Sequence, residues 1–183
     1  MTPFDYLSVL ISIVLGLGLT ELLSNVHRLI QARDRVTFHW LPLLWSGLVF
    51  VMLVQWWWAA FGLHRELEWN FFFFLLILLI PVLMYLAAAS VLPAVEPEQE
   101  YDLRAYYFGI HHWFFGIVAA INIMECLRAV LYADLQAAVL NATGAGLLGS
   151  LAVSSNRTYH AVTTVVLAAL LFLFIFLETL RLV

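Results

Sequence analysis

The sequence contains no lysine, and all eight of its basic residues are arginine. That absence excludes a retinal Schiff base, a lysine nucleophile and a phosphate-loop lysine. A single cysteine, Cys126, leaves nothing for an internal disulfide and no haem-attachment motif, so cysteine usage does not reveal the redox compartment. Charge is scarce as well. Charged residues make up 11% of the 183, apolar residues 64%, and mean hydropathy is +0.98, against about 25% charged residues in ordinary soluble domains. The chain therefore reads as an integral membrane protein, with the lipid bilayer as its first partner. No nucleophile–base pair, paired catalytic carboxylates or zinc-protease motif is present, which argues against an enzyme. The net charge of −4 comes largely from one loop, so nucleic acid is not expected as a partner.

The N-terminus lacks the basic region of a signal peptide. Thr2-Pro3-Phe4-Asp5 reads instead as a capping box with proline at the first helical position, so the first apolar stretch is expected to be retained. Apolar runs long enough to cross about 30 Å of hydrocarbon occupy residues 4–30, 40–63, 71–92, 104–130, 135–153 and 159–182. The predicted fold class is all-α: one polytopic domain over 1–183, with six transmembrane helices arranged as three helical hairpins, 1–2, 3–4 and 5–6. Trp56-Trp57-Trp58 marks an aromatic belt. The third span is almost uniformly apolar, kinked by Pro81 and ended by Pro93, and is predicted to be the most lipid-exposed. The fifth carries Gln136, Asn141 and Thr143 among glycines and is predicted to be enclosed by the others. Residues 94–102 form the clearest water-facing loop, a candidate contact for a protein partner. Arg28, Arg33, Arg35, Arg104 and Arg157 lie on one side, and Arg65, Arg128 and Arg181 on the other. The positive-inside tendency then places both termini outside.

Small residues recur every fourth position at Ser8, Ser12, Gly16, Thr20 and Ser24, which shaves one face of the first helix for close packing. Ala138, Ala142, Gly146 and Ser150 repeat the ladder on the fifth. The two are expected to pack together, within one subunit or between copies, and a homo-oligomer follows from the second case. Gly144-Ala145-Gly146-Leu147-Leu148-Gly149 matches a dinucleotide-binding pattern but follows no strand, so that reading is dismissed.

An offset of 53 residues sets the fourth span on the sixth. It brings Arg104, Tyr106, Glu125 and Arg128 onto Arg157, Tyr159, Glu178 and Arg181, which suggests a duplicated hairpin. On the fourth span, Arg104, Tyr107, His111, Phe115, Val118, Asn122 and Glu125 form one stripe; on the sixth, Arg157, His160, Thr164, Leu167, Leu171, Phe174, Glu178 and Arg181 form another. Polar side chains avoid lipid, so both stripes should face the bundle interior.

The intramembrane polar residues are the functional candidates. Glu21, Asn25, His27, His111, His160, Gln55, Asn122, Glu125 and Glu178 supply the parts of an ion or proton pathway. Three function classes compete: a channel or transporter for a small ion, favouring protons; a metal- or haem-binding subunit; and a scaffold or effector subunit acting through a partner. No cofactor is the leading expectation. A transition-metal site would draw on Glu21, His27, His111 and His160, and a haem on His111 with His27 or His160. Glu21 lies seven residues before Arg28, and His111 seven after Arg104. At about 1.5 Å per residue both sit roughly 10 Å inside one interface, so a coupled Glu21–His111 pair is predicted.

Overall fold

Proline fixes φ near the helical value, and its missing N–H costs nothing in a first turn; Pro3 accordingly opens α1 (Pro3–Gln31). The computed structural model describes residues 3–60, 71–95 and 99–181, with side chains over 7–60, 74–95 and 99–176. A 3₁₀ turn at Arg33–Arg35 and the strand β1 (Val36–Thr37) lead into α2 (Trp40–Ala60). Then follow α3 (Phe71–Ser90), β2 (Tyr101–Asp102), α4 (Leu103–Leu131), α5 (Leu135–Val153) and α6 (Arg157–Arg181).

Side-chain caps set three of these helix starts. Asp102 accepts from the backbone N–H groups of Arg104 and Ala105 at 2.8 and 3.1 Å, Asp134 from Ala137 at 3.0 Å, and Asn156 from Thr158 and Tyr159 at 3.0 and 3.2 Å. Each cap satisfies donors that have no partner inside the helix. At the end of α4, Ala133 takes a left-handed φ of 56°, and the Asp134 N–H reaches back to the Ala129 carbonyl at 2.9 Å. That tight reversal lays α5 along α4.

Five helices are long and apolar enough to cross a membrane. The described apolar part of α3, Phe74–Ser90, is shorter, but α3 as a whole has 20 residues, about 30 Å at 1.5 Å per residue. The chain is an all-α, multi-pass membrane protein. Residues 61–63, which the sequence placed at the end of the second span, and residue 182 lie outside the described residues.

The hairpin partners α1 and α2, α3 and α4, and α5 and α6 all touch, but the most extensive contacts join different hairpins: α4 with α5, and α1 with α3. The third helix is therefore not the lipid-exposed one. Its Ile77, Ile80, Met84, Ala87 and Ala88 are buried, and at Gly18 of α1 an added Cβ would stand 3.4 Å from Tyr85 Cα and 3.8 Å from Ala88 Cβ. Small side chains on both helices let the backbones approach, a property that uniform apolarity does not register. The fifth helix is not enclosed either; α5 and α6 are the least buried of the five long spans. Its polar side chains are satisfied by their own helix, Asn141 and Thr143 donating to the carbonyls of Ala137 and Val139 at 2.9 and 2.8 Å, and Ser150 to Leu147 at 2.6 Å. Back-bonding of this kind removes the need for a polar neighbour.

Among the described residues α1 packs chiefly on α3 and α2, and α5 on α4 and α6, so the two small-residue ladders are not each other's main partners within the chain. The buried stripe of α1 is Leu7, Ile11, Leu15 and Leu22. Ser12 and Thr20 are exposed, Ser8 and Ser24 half-buried, and a Cβ at Gly16 would meet nothing within 4 Å. On α5, Ala138 is buried, Ser150 half-buried, and Ala142 and Gly146 exposed, with open space at Gly146. Outside the bundle, β1 pairs in parallel with β2, Val36 with Tyr101 and Thr37 with Asp102, over a small core of Leu29, Val95 and Leu103.

Candidate functional site

The stripes of α4 and α6 meet near the helix starts and bury a histidine completely. His160 has no exposed surface. Its Nε2 lies 2.7 Å from the Ser154 carbonyl; a carbonyl only accepts, so Nε2 carries the hydrogen. Nδ1 is then the acceptor, and the Tyr107 hydroxyl donates to it at 2.9 Å. Thr164, one turn beyond His160 and equally buried, accepts from the Trp45 indole N–H of α2 at 3.1 Å. Three helices thus contribute to one polar cluster of two pairs, Trp45–Thr164 and Tyr107–His160, the second of which ends on the turn between α5 and α6.

Aromatic rings wall this cluster off. Phe108, Phe115 and His111 stand edge-on or tilted to His160 at centroid distances of 5.2, 5.6 and 5.5 Å, and Trp45 packs on Phe115 at 5.0 Å. His111 donates from Nδ1 to the Phe108 carbonyl at 2.7 Å and faces exposed His112 at 5.6 Å. His39 sits beside the cluster, 6.4 Å from the Tyr107 ring. Burial is the main cause that holds His39 below the ordinary imidazole range; Arg104 acts in the same direction and Asp102 opposes it.

Trp45 also lines a cavity of about 330 Å³ that runs among α2, α3, α4, α5 and α6. Most of its wall is apolar. Toward the far ends of α2 and α4 the lining turns polar, with Gln55, Trp56, Asn122, Glu125, Arg128 and Asn141. Glu125 is fully engaged there: Oε1 accepts from the Trp56 indole at 3.0 Å, and Oε2 from Arg128 Nε and Nη2 at 2.8 and 2.6 Å. Asn122 donates to the Val118 carbonyl at 3.0 Å.

Of the sequence-predicted residues, His111 and His160 fall in the histidine cluster, and Gln55, Asn122 and Glu125 in the cavity. Glu21 and Asn25 stay together on α1, Asn25 Nδ2 lying 3.4 Å from Glu21 Oε1; Asn25 is buried with its Oδ1 unpartnered among the described residues. His27 is exposed. The side chain of Glu178 lies outside the described residues, as does His64. Glu21 and His111 share no hydrogen bond or ion pair among the described residues: Glu21 turns to Asn25 and His111 to Phe108 and the His160 ring. α3 packs on both α1 and α4.

The metal and haem sets do not fit this arrangement. Among the described residues no three His, Cys, Asp or Glu side chains come together as ligands, and both nitrogens of His160 are already engaged. Sequence reasoning missed Tyr107 and Trp45 as members of the site. The signal for Tyr107 was present, since it precedes His111 on the inward stripe and lies 53 positions before His160, the offset of the internal repeat. The repeat has a structural counterpart one residue away: the Tyr106 hydroxyl donates to carbonyls at the end of α3, Ser90 and Leu92, at 2.9 and 3.2 Å, and the Tyr159 hydroxyl meets Ser150 at the end of α5 at 2.6 Å. Comparison of the chain with protein-family models, curated proteins and solved structures finds no match.

Proposed function

We propose that the protein conducts protons across the membrane, by a route that enters the cavity between α2 and α6, passes Thr164 and Tyr107, and leaves through His160 at the α5–α6 turn. The observation that carries this reading is the Tyr107–His160 pair, at 2.9 Å, set in a bundle interior where buried titratable groups are costly and mark ion paths. Each member has a part. Trp45 occupies a lone pair of Thr164 and so turns the threonine hydrogen toward Tyr107. Tyr107 donates to His160 Nδ1, and its oxygen keeps lone pairs that can accept from Thr164, as a relay requires. His160 takes a proton on Nδ1 and releases one from Nε2 beside Ser154, next to exposed Ser155 and Asn156. Glu125, neutralised by Arg128, tunes the opposite mouth.

The test uses purified protein in liposomes with an internal pH dye and an imposed potassium diffusion potential. Native protein is expected to pass protons, and Tyr107→Phe and Thr164→Val to reduce the flux to that of empty liposomes while keeping native size on gel filtration. Equal flux in native and Tyr107→Phe vesicles would refute the route. Arginine placement supports an orientation with both termini outside, and the outward stripe of Ser12, Gly16 and Thr20 supports association between copies.

A further inference from the structure

The polar end of the cavity presents carboxamide oxygens that no donor among the described residues occupies. Asn122 and Asn141 each donate one amide N–H to a carbonyl of their own helix, Val118 and Ala137; only the amide nitrogen can make such a bond, so each side-chain oxygen is left as an acceptor. Gln55, which lines the same space, makes no hydrogen bond among the described residues. The one charge pair at this end, Glu125 with Arg128, is closed on itself and on Trp56, so the described lining presents no net charge. Beyond this end the wall is hydrocarbon, from Met52, Ile80, Ile121, Leu148, Leu167 and Leu171. The volume of about 330 Å³ falls in the range of small-molecule sites, roughly 300–1,000 Å³. Leu140 and Thr143 of α5 line the cavity and are also exposed, so it opens sideways, where the bilayer lies.

The geometry points to a binding site for a neutral, hydroxyl-headed membrane amphiphile: its apolar chain lies between α4 and α6, and its hydroxyl donates its one hydrogen to the carboxamide oxygen of Asn122, with Asn141 and Gln55 lining the same end. Each requirement excludes an alternative. A quaternary ammonium has no hydrogen to donate and finds its carboxylate already paired. An ether or alkane of equal length fills the apolar part but brings no hydrogen for the Asn122 oxygen, and specificity is greatest where unsatisfied polar groups punish the wrong ligand. The site does not depend on proton movement along the His160 chain, and its test measures binding alone.

Native protein in nanodiscs is labelled with a long-chain alcohol carrying a photoreactive diazirine on its chain, and modified residues are mapped by peptide mass spectrometry. Labelling is expected on α4 and α6 peptides that line the cavity. Unlabelled long-chain alcohol should displace the probe about tenfold better than its methyl ether or the matched alkyltrimethylammonium, the worth of about one hydrogen bond. Asn122→Leu, with a similar volume and no acceptor, should erase that preference. Because the competition is read on native protein, a poorly folded variant does not decide the outcome. Ether competing as well as alcohol, ammonium competing better, or label confined to lipid-facing positions would each overturn the assignment.

Discussion

Replacing Tyr107 by Phe deletes one oxygen and leaves the ring, so it isolates the hydrogen bond to His160 from the packing around it. The ring keeps its edge-on contacts with Phe115 at 6.0 Å and His160 at 5.5 Å. What is lost is the donor to Nδ1. At rest His160 gains nothing by switching tautomer, because a bare Nε2 would then face the Ser154 carbonyl, and with no exposed surface on His160 water does not replace the hydroxyl. An orphaned buried acceptor costs about 1–3 kcal/mol. Reversible unfolding in mixed micelles, followed as the denaturing detergent fraction rises, is expected to show a loss of that size. The same substitution made in a His160→Phe background should cost much less, giving a coupling energy of about 1–2 kcal/mol. A Tyr107→Phe effect below about 0.3 kcal/mol, or strict additivity with His160→Phe, would refute the inference that the pair is a buried, water-free hydrogen bond.

Three further outcomes are expected. Ala133→Gly should stabilise the protein by about 1 kcal/mol in the same unfolding assay, because a left-handed φ of 56° costs an L-residue roughly 1–2 kcal/mol and glycine almost nothing. Gly144→Ala and Gly146→Ala should differ in sign: a Cβ at Gly144 would stand 2.7 Å from Asn122 Oδ1 and force that side chain off the Val118 carbonyl, whereas Gly146 has open space, so the first loses about 1 kcal/mol and the second gains about 0.5–1 kcal/mol of helix propensity. His39 has its folded pKa lowered by burial first and by Arg104 second. The unfolded chain therefore binds its proton first as pH falls; stability is full above about pH 6.5 and declines below it toward the depressed value. Unfolding midpoints at about pH 7.5 and about pH 5.5 should converge in His39→Gln, and an unchanged pH slope in that variant would assign the dependence to another group.

Six helices, their order and most of their starts were legible because composition and capping are local properties. Asp102, Asp134 and Asn156 stand where helix starts need an acceptor, and hydropathy alone separates the spans. Lateral arrangement is not local. Nothing in the apolar run of α3 distinguishes a lipid-facing helix from a central one except the small Ala87 and Ala88, opposite Gly18 in a distant segment. The polar residues of α5 suggested enclosure because their bonds to carbonyls of the same helix are invisible in composition. Glu21 and His111 were matched by depth, a coordinate along the membrane normal, whereas contact also requires adjacency in the plane. The histidine site was half legible for the same reason. Helical periodicity puts His160 and Thr164 on one face and Tyr107 and His111 on another, but the meeting of those faces, and Trp45 between them and the cavity, is set by how α2, α4 and α6 cross.

The two-residue ladder outside the bundle bears on how the chain enters its membrane. Val36 and Thr37 emerge from the ribosome long before their partners Tyr101 and Asp102, and Asp102 also caps α4. The ladder therefore closes only after the second hairpin has delivered its connection to the same side as the first. A hairpin inserted upside down would leave β1 without a partner, and the small core that joins Leu29 to Leu103 would not form. So small a pairing adds little to the strength of the finished bundle, yet it is a test of handedness that only a correctly threaded chain can pass.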